Sequence, residues 1–431
     1  MDRLRHPLVV FGAAVGLTVP WLLFRGLGLV SALPVSGVVL ASGVAVVGAA
    51  FVLTWAAETA EADVPRSFAL AVLAIIAVAP EYAVDALYAW EAGAAPGTPA
   101  SATAANLAVA NMTGANRILV GLGWSLIALY AVYRARTGGD EAVIRRGGVL
   151  ADAVRLEERI SVELLFLGVA TVYALFVPFL GGIDALDAVA LVGLYAAYVV
   201  VILRGETAHE PQGGVPGYLQ RGPRPRRVAA VLVMFAFAAL VVLTAVKPFA
   251  KGLETLGPQF GVSSFFMIQW VAPLASESPE LIACAYLVRK VRTTSAFNAL
   301  ISSKLNQWTL LIGTLVVVYS LSLGSYGVLE FSQRQAGEIW LTAAQSFFAV
   351  ALLVDFEISV REALALLGLF ALQFLPFFQD FRGLVLFSVL YLVLGVALLV
   401  RRRADALTVV SRAREHARSD ATDADAATRE P

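Results

Sequence analysis

Apolar runs recur along nearly the whole chain, broken by short polar or charged loops. A membrane-spanning helix needs about 20 apolar residues. Runs of that kind begin near Leu8, Pro34, Phe68, Ala104, Ile160, Ile183, Arg227, Val262, Ser295, Glu338, Val360 and Gly383. Only Gly181-Gly182 separates the fifth from the sixth. The pattern predicts an all-α polytopic membrane protein with about twelve spans.

The charged loops orient these spans. Lys and Arg are expected to accumulate in cytoplasmic loops. The segment Arg134–Arg159 is rich in arginine, as are Arg204–Arg227, the turn Arg289-Lys290-Val291-Arg292 and the tail from Arg401. All fall on the side of the N-terminus when twelve spans are threaded, whereas Ala92–Ser101 and Gly324–Gly337 carry little positive charge. Both termini are therefore expected in the cytoplasm, although the acidic loop Glu58–Arg66 does not add to the pattern. The tail Ala404–Pro431 has few bulky apolar residues and is expected to be frayed or disordered.

Composition agrees, with 59% hydrophobic residues, 15% charged residues and a mean hydropathy of +0.78. The net charge of zero offers no basic footprint for nucleic acid. The single cysteine, Cys284, excludes an internal disulfide and a cysteine metal site, and reads as a packing residue. His6, His209 and His416 all lie in termini or loops, which argues against a histidine centre within the membrane. No cofactor and no required protein partner are implied; the expected partners are the lipid bilayer and inorganic cations.

The cations follow from a Pro-Glu pair that occurs twice inside spans. Pro80-Glu81 lies in Phe68–Trp90, and Pro279-Glu280 in Val262–Val288. A carboxylate at bilayer depth is kept mainly where it faces a water-filled cavity or an ion path. A neighbouring proline removes a helix hydrogen bond and frees a carbonyl. Paired breaks in two halves of a chain point to a transporter's binding site. The predicted repeats are 34–203 and 227–377, each of five spans, so that their orientations are inverted. Segments 1–33 and 383–400 are extra spans, and 401–431 is the cytoplasmic tail.

Within the repeats, Glu81 and Asp85 are one helical turn apart, and Ser276, Glu277 and Glu280 share another helix. Carboxylates, carbonyls and water are the ligands of hard cations. The span after each Pro-Glu helix is polar at first. Asn116-Arg117-Ile118-Leu119-Val120-Gly121-Leu122-Gly123 aligns without gaps beside Asn306-Gln307-Trp308-Thr309-Leu310-Leu311-Ile312-Gly313. Helix packing is the alternative role for these amides, and it fits Asn116 and Asn306 less well because they repeat. Arg117 lies about 20 Å into its span, too deep to snorkel easily, and is expected to pair with Glu81, Asp85, Glu277 or Glu280. There it would occupy one cation's place. Lys304 lies shallower and is expected to snorkel.

These motifs resemble the calcium/cation antiporter superfamily, in which a G-[ST]-[ST]-x-P-[ED] helix precedes a G-S-N-rich helix in each of two inverted repeats. Ala275-Ser276-Glu277-Ser278-Pro279-Glu280 is similar to the first element, Ile76–Glu81 keeps its Pro-Glu, and Gly114-Ala115-Asn116 resembles the second. The resemblance implies alternating-access exchange of Ca2+ for Na+ or H+ at the cell membrane. It implies Glu81 and Glu280 as central ligands, and Glu277 and Asp85 as further charge or proton carriers. Asn116, Ser276, Asn306 and Gln307 would complete the oxygen shell, and Arg117 would tune its charge. Ala77 and Val78 replace hydroxyl residues that would favour Na+, and Glu277 adds an acid, so the driving ion stays open. A cation sensor or channel of antiporter ancestry is the alternative. An intramembrane enzyme built on an acid dyad fits less well, because no nucleophile–base set accompanies the acids.

Overall fold

The computed structural model describes residues 6–63, 79–204 and 213–427. In chain order the helices are α1 (Pro7–Gly26), α2 (Val35–Ala60), α3 (Ala79–Ala94), α4 (Pro99–Ile118), α5 (Ser125–Gly138), α6 (Ser161–Ala174), α7 (Ala185–Arg204) and α8 (Gly214–Gln220). They continue as α9 (Arg224–Gln259), α10 (Ala272–Arg289), α11 (Thr293–Asn306), α12 (Ile312–Leu323), α13 (Gln333–Leu353), α14 (Val360–Leu372), α15 (Phe381–Arg401) and α16 (Arg403–Ala427). Short antiparallel ladders tie loops together, pairing Val154 with Val143 and Ile358, and Gly182 with Glu330.

Among the described residues nine helices are long and apolar enough to cross a membrane. They correspond to the predicted spans from Leu8, Pro34, Ala104, Ile160, Ile183, Arg227, Ser295, Glu338 and Gly383. The rest differ for local reasons. The first half of Phe68–Trp90, with Ile76, Ala77 and Val78, lies outside the described residues. The span from Val262 holds two acids and a π turn at Met267–Val271 before α10. The span from Val360 is only 13 residues long, held at its start by a Ser359–Glu362 capping box.

The helices form two compact units, one from Met1–Leu87 and Thr207–Pro279, the other from Tyr88–Glu206 and Glu280–Pro431. In the first, α2 lies along α9 and α1. Small residues set the approach: a Cβ on Gly48 would meet the Ala14 carbonyl oxygen at 2.5 Å, and one on Gly43 would meet the Phe249 ring at 2.7 Å. Ala14, Val52, Leu53, Ala56, Met234 and Ala238 make the apolar centre. Beyond the end of α2, Asp63 accepts from Nε and Nη2 of Arg227 at the start of α9, which holds that carboxyl below its usual 3.8.

In the second unit, two long polar-to-apolar helices each pass through a π turn. Leu119–Trp124 joins α4 to α5, and Gln307–Leu311 joins α11 to α12. Helix α13 packs among α4, α6 and α15. The tail departs from its expected disorder: α16 runs to Ala427, burying Val409 and Ala413 on one face and pairing Arg412 with Glu158 at 2.7 Å. Two apolar residues four apart provide the stripe that seats it, which its low overall hydrophobicity hides.

Candidate functional site

The first unit carries Glu81 and Asp85 on α3, one turn apart and both buried, and Ser276 and Glu277 on α10. Ser276 spends its hydroxyl on its own helix, donating to the Pro273 carbonyl at 3.2 Å. The expectation that proline leaves an open carbonyl needs correction at Pro279. The Ala275 carbonyl, four residues before it, accepts the Ser278 hydroxyl at 2.9 Å. The hydroxyl replaces the donor that proline lacks, as Ser and Thr commonly do in membrane helices.

The second unit holds the other candidates. Glu280 Oε2 accepts from the Ser303 hydroxyl at 2.9 Å, linking α10 to α11. Asn306 and Gln307 are buried where α11 becomes a π turn, and Asn116 is buried near the end of α4. Asn116 Nδ2 donates to the Met112 carbonyl at 2.8 Å, which turns Oδ1 outward as an acceptor.

Lys304 and Arg117 both depart from expectation. Lys304 does not snorkel: its side chain is 0% exposed, with Nζ 2.8 Å from Asn116 Oδ1 and 3.4 Å from the Asn116 carbonyl oxygen. It also stands 4.4 Å from the centre of the Trp308 ring. Arg117 forms an ion pair with Glu338 of α13, at 2.5 Å, an acid outside the four expected from sequence. Its Nη1 reaches Gln373 Oε1 at 3.3 Å. Gln373 Nε2 donates to the Tyr391 hydroxyl at 3.1 Å and to Gln345 Oε1 at 3.4 Å. The network closes through Gln345, whose amide lies 3.5 Å from the Arg117 carbonyl.

Glu338, Gln345, Gln373 and Tyr391 were not among the candidates. The signal was present: Glu338 and Gln345 are seven residues apart, two turns on one helix face, inside an otherwise apolar run. Nothing in the sequence position of Ser303 names Glu280 as its partner. Among the described residues, no three His, Cys, Asp or Glu side chains gather into a metal-holding group. Amide, hydroxyl and carbonyl oxygens are therefore the neutral donors available alongside individual carboxylates.

Comparison with known proteins places the chain as a whole. The family model described as sodium/calcium exchanger protein matches residues 34–204 and 230–379. A structure described as the H+/Ca2+ exchanger CAX is 41% identical with a TM-score of 0.86, covering 95% of this chain and 98% of that one. Native YfkE shares the fold at 15% identity and a TM-score of 0.55, covering 89% of this chain and 99% of its own. The sodium-calcium exchanger NCX_Mj, soaked with 100 mM Na+ and 10 mM Sr2+, does so at 13% and 0.50, covering 79% and 98%. A search of curated proteins gives no match. The apolar helices, the acids held within them and these matches converge: the chain is a multi-pass membrane transporter, not an enzyme, and belongs to the sodium/calcium exchanger protein family.

Proposed function

We propose that this chain exchanges Ca2+ for H+ across the cell membrane by alternating access, with both termini in the cytoplasm. The observation that carries the reading is the burial of Glu81 and Asp85 in α3 and of Glu277 in α10, all within apolar helices. Buried carboxylates are the groups that can take either a hard divalent cation or protons, and exchange follows when the two compete. Glu81 and Glu280 are proposed as central ligands. Asp85 and Glu277 supply further charge or carry protons, and Ser276, Asn306 and Gln307 add neutral oxygens; Asn116, expected from the sequence as a ligand, gives its oxygens to Lys304 instead. Segments 34–203 and 227–377 are proposed as the inverted repeats whose relative motion exposes the ion to either side. The likeness to an H+/Ca2+ exchanger supports H+ as the driving ion. Ion gradients supply the energy, and no organic cofactor is called on.

Na+ as driving ion is the second reading, favoured by the family's description. The test is radioactive Ca2+ uptake into proteoliposomes under an outward H+ gradient and, separately, an outward Na+ gradient, with Glu280→Gln as control. Uptake driven by H+ and lost in the control is the expected result. Uptake that follows only Na+ establishes the second reading, and none under either gradient overturns the Ca2+ assignment in favour of a sensor or channel.

A further inference from the structure

A lysine ammonium buried in a membrane helix needs a reason to be there. Lys304 is sealed from solvent. Its Nζ lies against the two oxygens of Asn116 and the face of the Trp308 ring. The Asn116 amide is pinned by its bond to the Met112 carbonyl, so Oδ1 is presented whether or not a lysine is there. An amide oxygen and a backbone carbonyl on one residue are the neutral oxygens a desolvated Na+ takes up. Both lie within one turn of a π turn, a feature frequent at functional sites.

We propose that the Lys304 ammonium is a tethered monovalent cation that takes the Asn116 oxygens a free Na+ would need, making this exchanger indifferent to Na+. The proposal rests on the exchanger reading and identifies the residue that settles its driving ion. Arg117 is the wrong residue for that part, because its guanidinium is committed to Glu338 and Gln373. A second positive charge at the Asn116 oxygens is excluded by repulsion from the first, since ammonium and Na+ would share the same two acceptors.

The test uses full-length protein in proteoliposomes as wild type, Lys304→Arg, Lys304→Asn and Lys304→Gln. H+-driven Ca2+ uptake is read in NaCl and in choline chloride. Wild type and Lys304→Arg are expected to behave alike in both salts. The Asn and Gln variants are expected to become Na+-responsive by at least about fivefold, the low end of coupling between two sites. Neutral variants that transport Ca2+ yet stay indifferent to Na+ overturn the proposal, as does a wild type that runs on a Na+ gradient. Thermal unfolding in the same two salts gives a readout that needs no transport. Na+ is expected to raise the Tm of the neutral variants and not of the wild type; an equal response in all four overturns the proposal. A wild type that takes up no Ca2+ therefore refutes the exchange reading, while unfolding still decides the role of Lys304.

Discussion

Among the described residues of the second unit, Arg117 and Lys304 are buried cations that meet different groups. Arg117 faces a carboxylate, Glu338, inside a ring of amides and a phenol, so its charge is cancelled where it sits. Lys304 is held by the neutral oxygens of Asn116 and by an aromatic face. Chemistry explains the division. A guanidinium is planar, and its fork suits a carboxylate and an amide together, whereas an ammonium is a compact point charge of the kind a bound ion presents. The lesson is that a charge inside a membrane helix is not by itself a functional signal. What faces it decides whether it braces the fold or stands in for an ion.

The contrast can be broken experimentally. Glu338→Ala leaves Arg117 buried without its carboxylate and is expected to cost about 3–5 kcal/mol in unfolding measurements on the purified protein. Arg117→Met combined with Glu338→Met is expected to recover most of that loss, because an apolar pair removes both charges. A Glu338→Ala protein within about 1 kcal/mol of wild type would show that the pair is not a brace. Lys304→Met removes the two hydrogen bonds to Asn116 and one cation–π contact and is expected to cost only about 1–2 kcal/mol. An effect as large as that of Glu338→Ala would erase the distinction between the two cations. Gln373→Leu takes an acceptor from Arg117 and a donor from Tyr391, with an expected cost of about 1 kcal/mol and no change in Na+ response.

The smallest expected effect comes from the pair of Asp63, beyond the end of α2, with Arg227 at the start of α9, which calibrates the buried one. Asp63 is held below 3.8 by its hydrogen bonds to Arg227, so the charged form is favoured in the folded protein. That contribution is complete above pH 3.8 and is lost as pH falls through the lower folded value. Arg227→Gln is therefore expected to lower stability slightly at neutral pH and to match wild type below the folded value, which flattens the acid side of the stability curve. A loss at neutral pH equal to that of Glu338→Ala would mean that burial does not separate the two pairs.

Much of the architecture was legible because a bilayer punishes unsatisfied backbone groups, so apolar runs of sufficient length become helices. The runs from Leu8, Pro34 and Ile160 could be read directly, as could the Asn-bearing helices that carry Asn116 and Asn306. Cys284 is buried as expected, its thiol 3.5 Å from the Ala296 carbonyl. The tail was misread because composition averages over faces, and two seated residues, Val409 and Ala413, outweigh a polar majority. The proline carbonyl at Ala275 was misread because a neighbouring serine can supply the missing donor, which only side-chain geometry reveals.

By itself the sequence determined that this is a polytopic helical membrane protein with acids at depth, and it named the helices that carry them. Those properties are local: they depend on hydrophobicity and spacing along one helix. Which acid receives Arg117, and whether Lys304 reaches the headgroups or turns inward to Asn116, depended on partners 221 and 188 residues away. Such pairings are set by which helix faces meet, and electrostatic energy falls with distance in space, not along the chain. Only the tertiary structure could assign one buried cation to a carboxylate and the other to an amide.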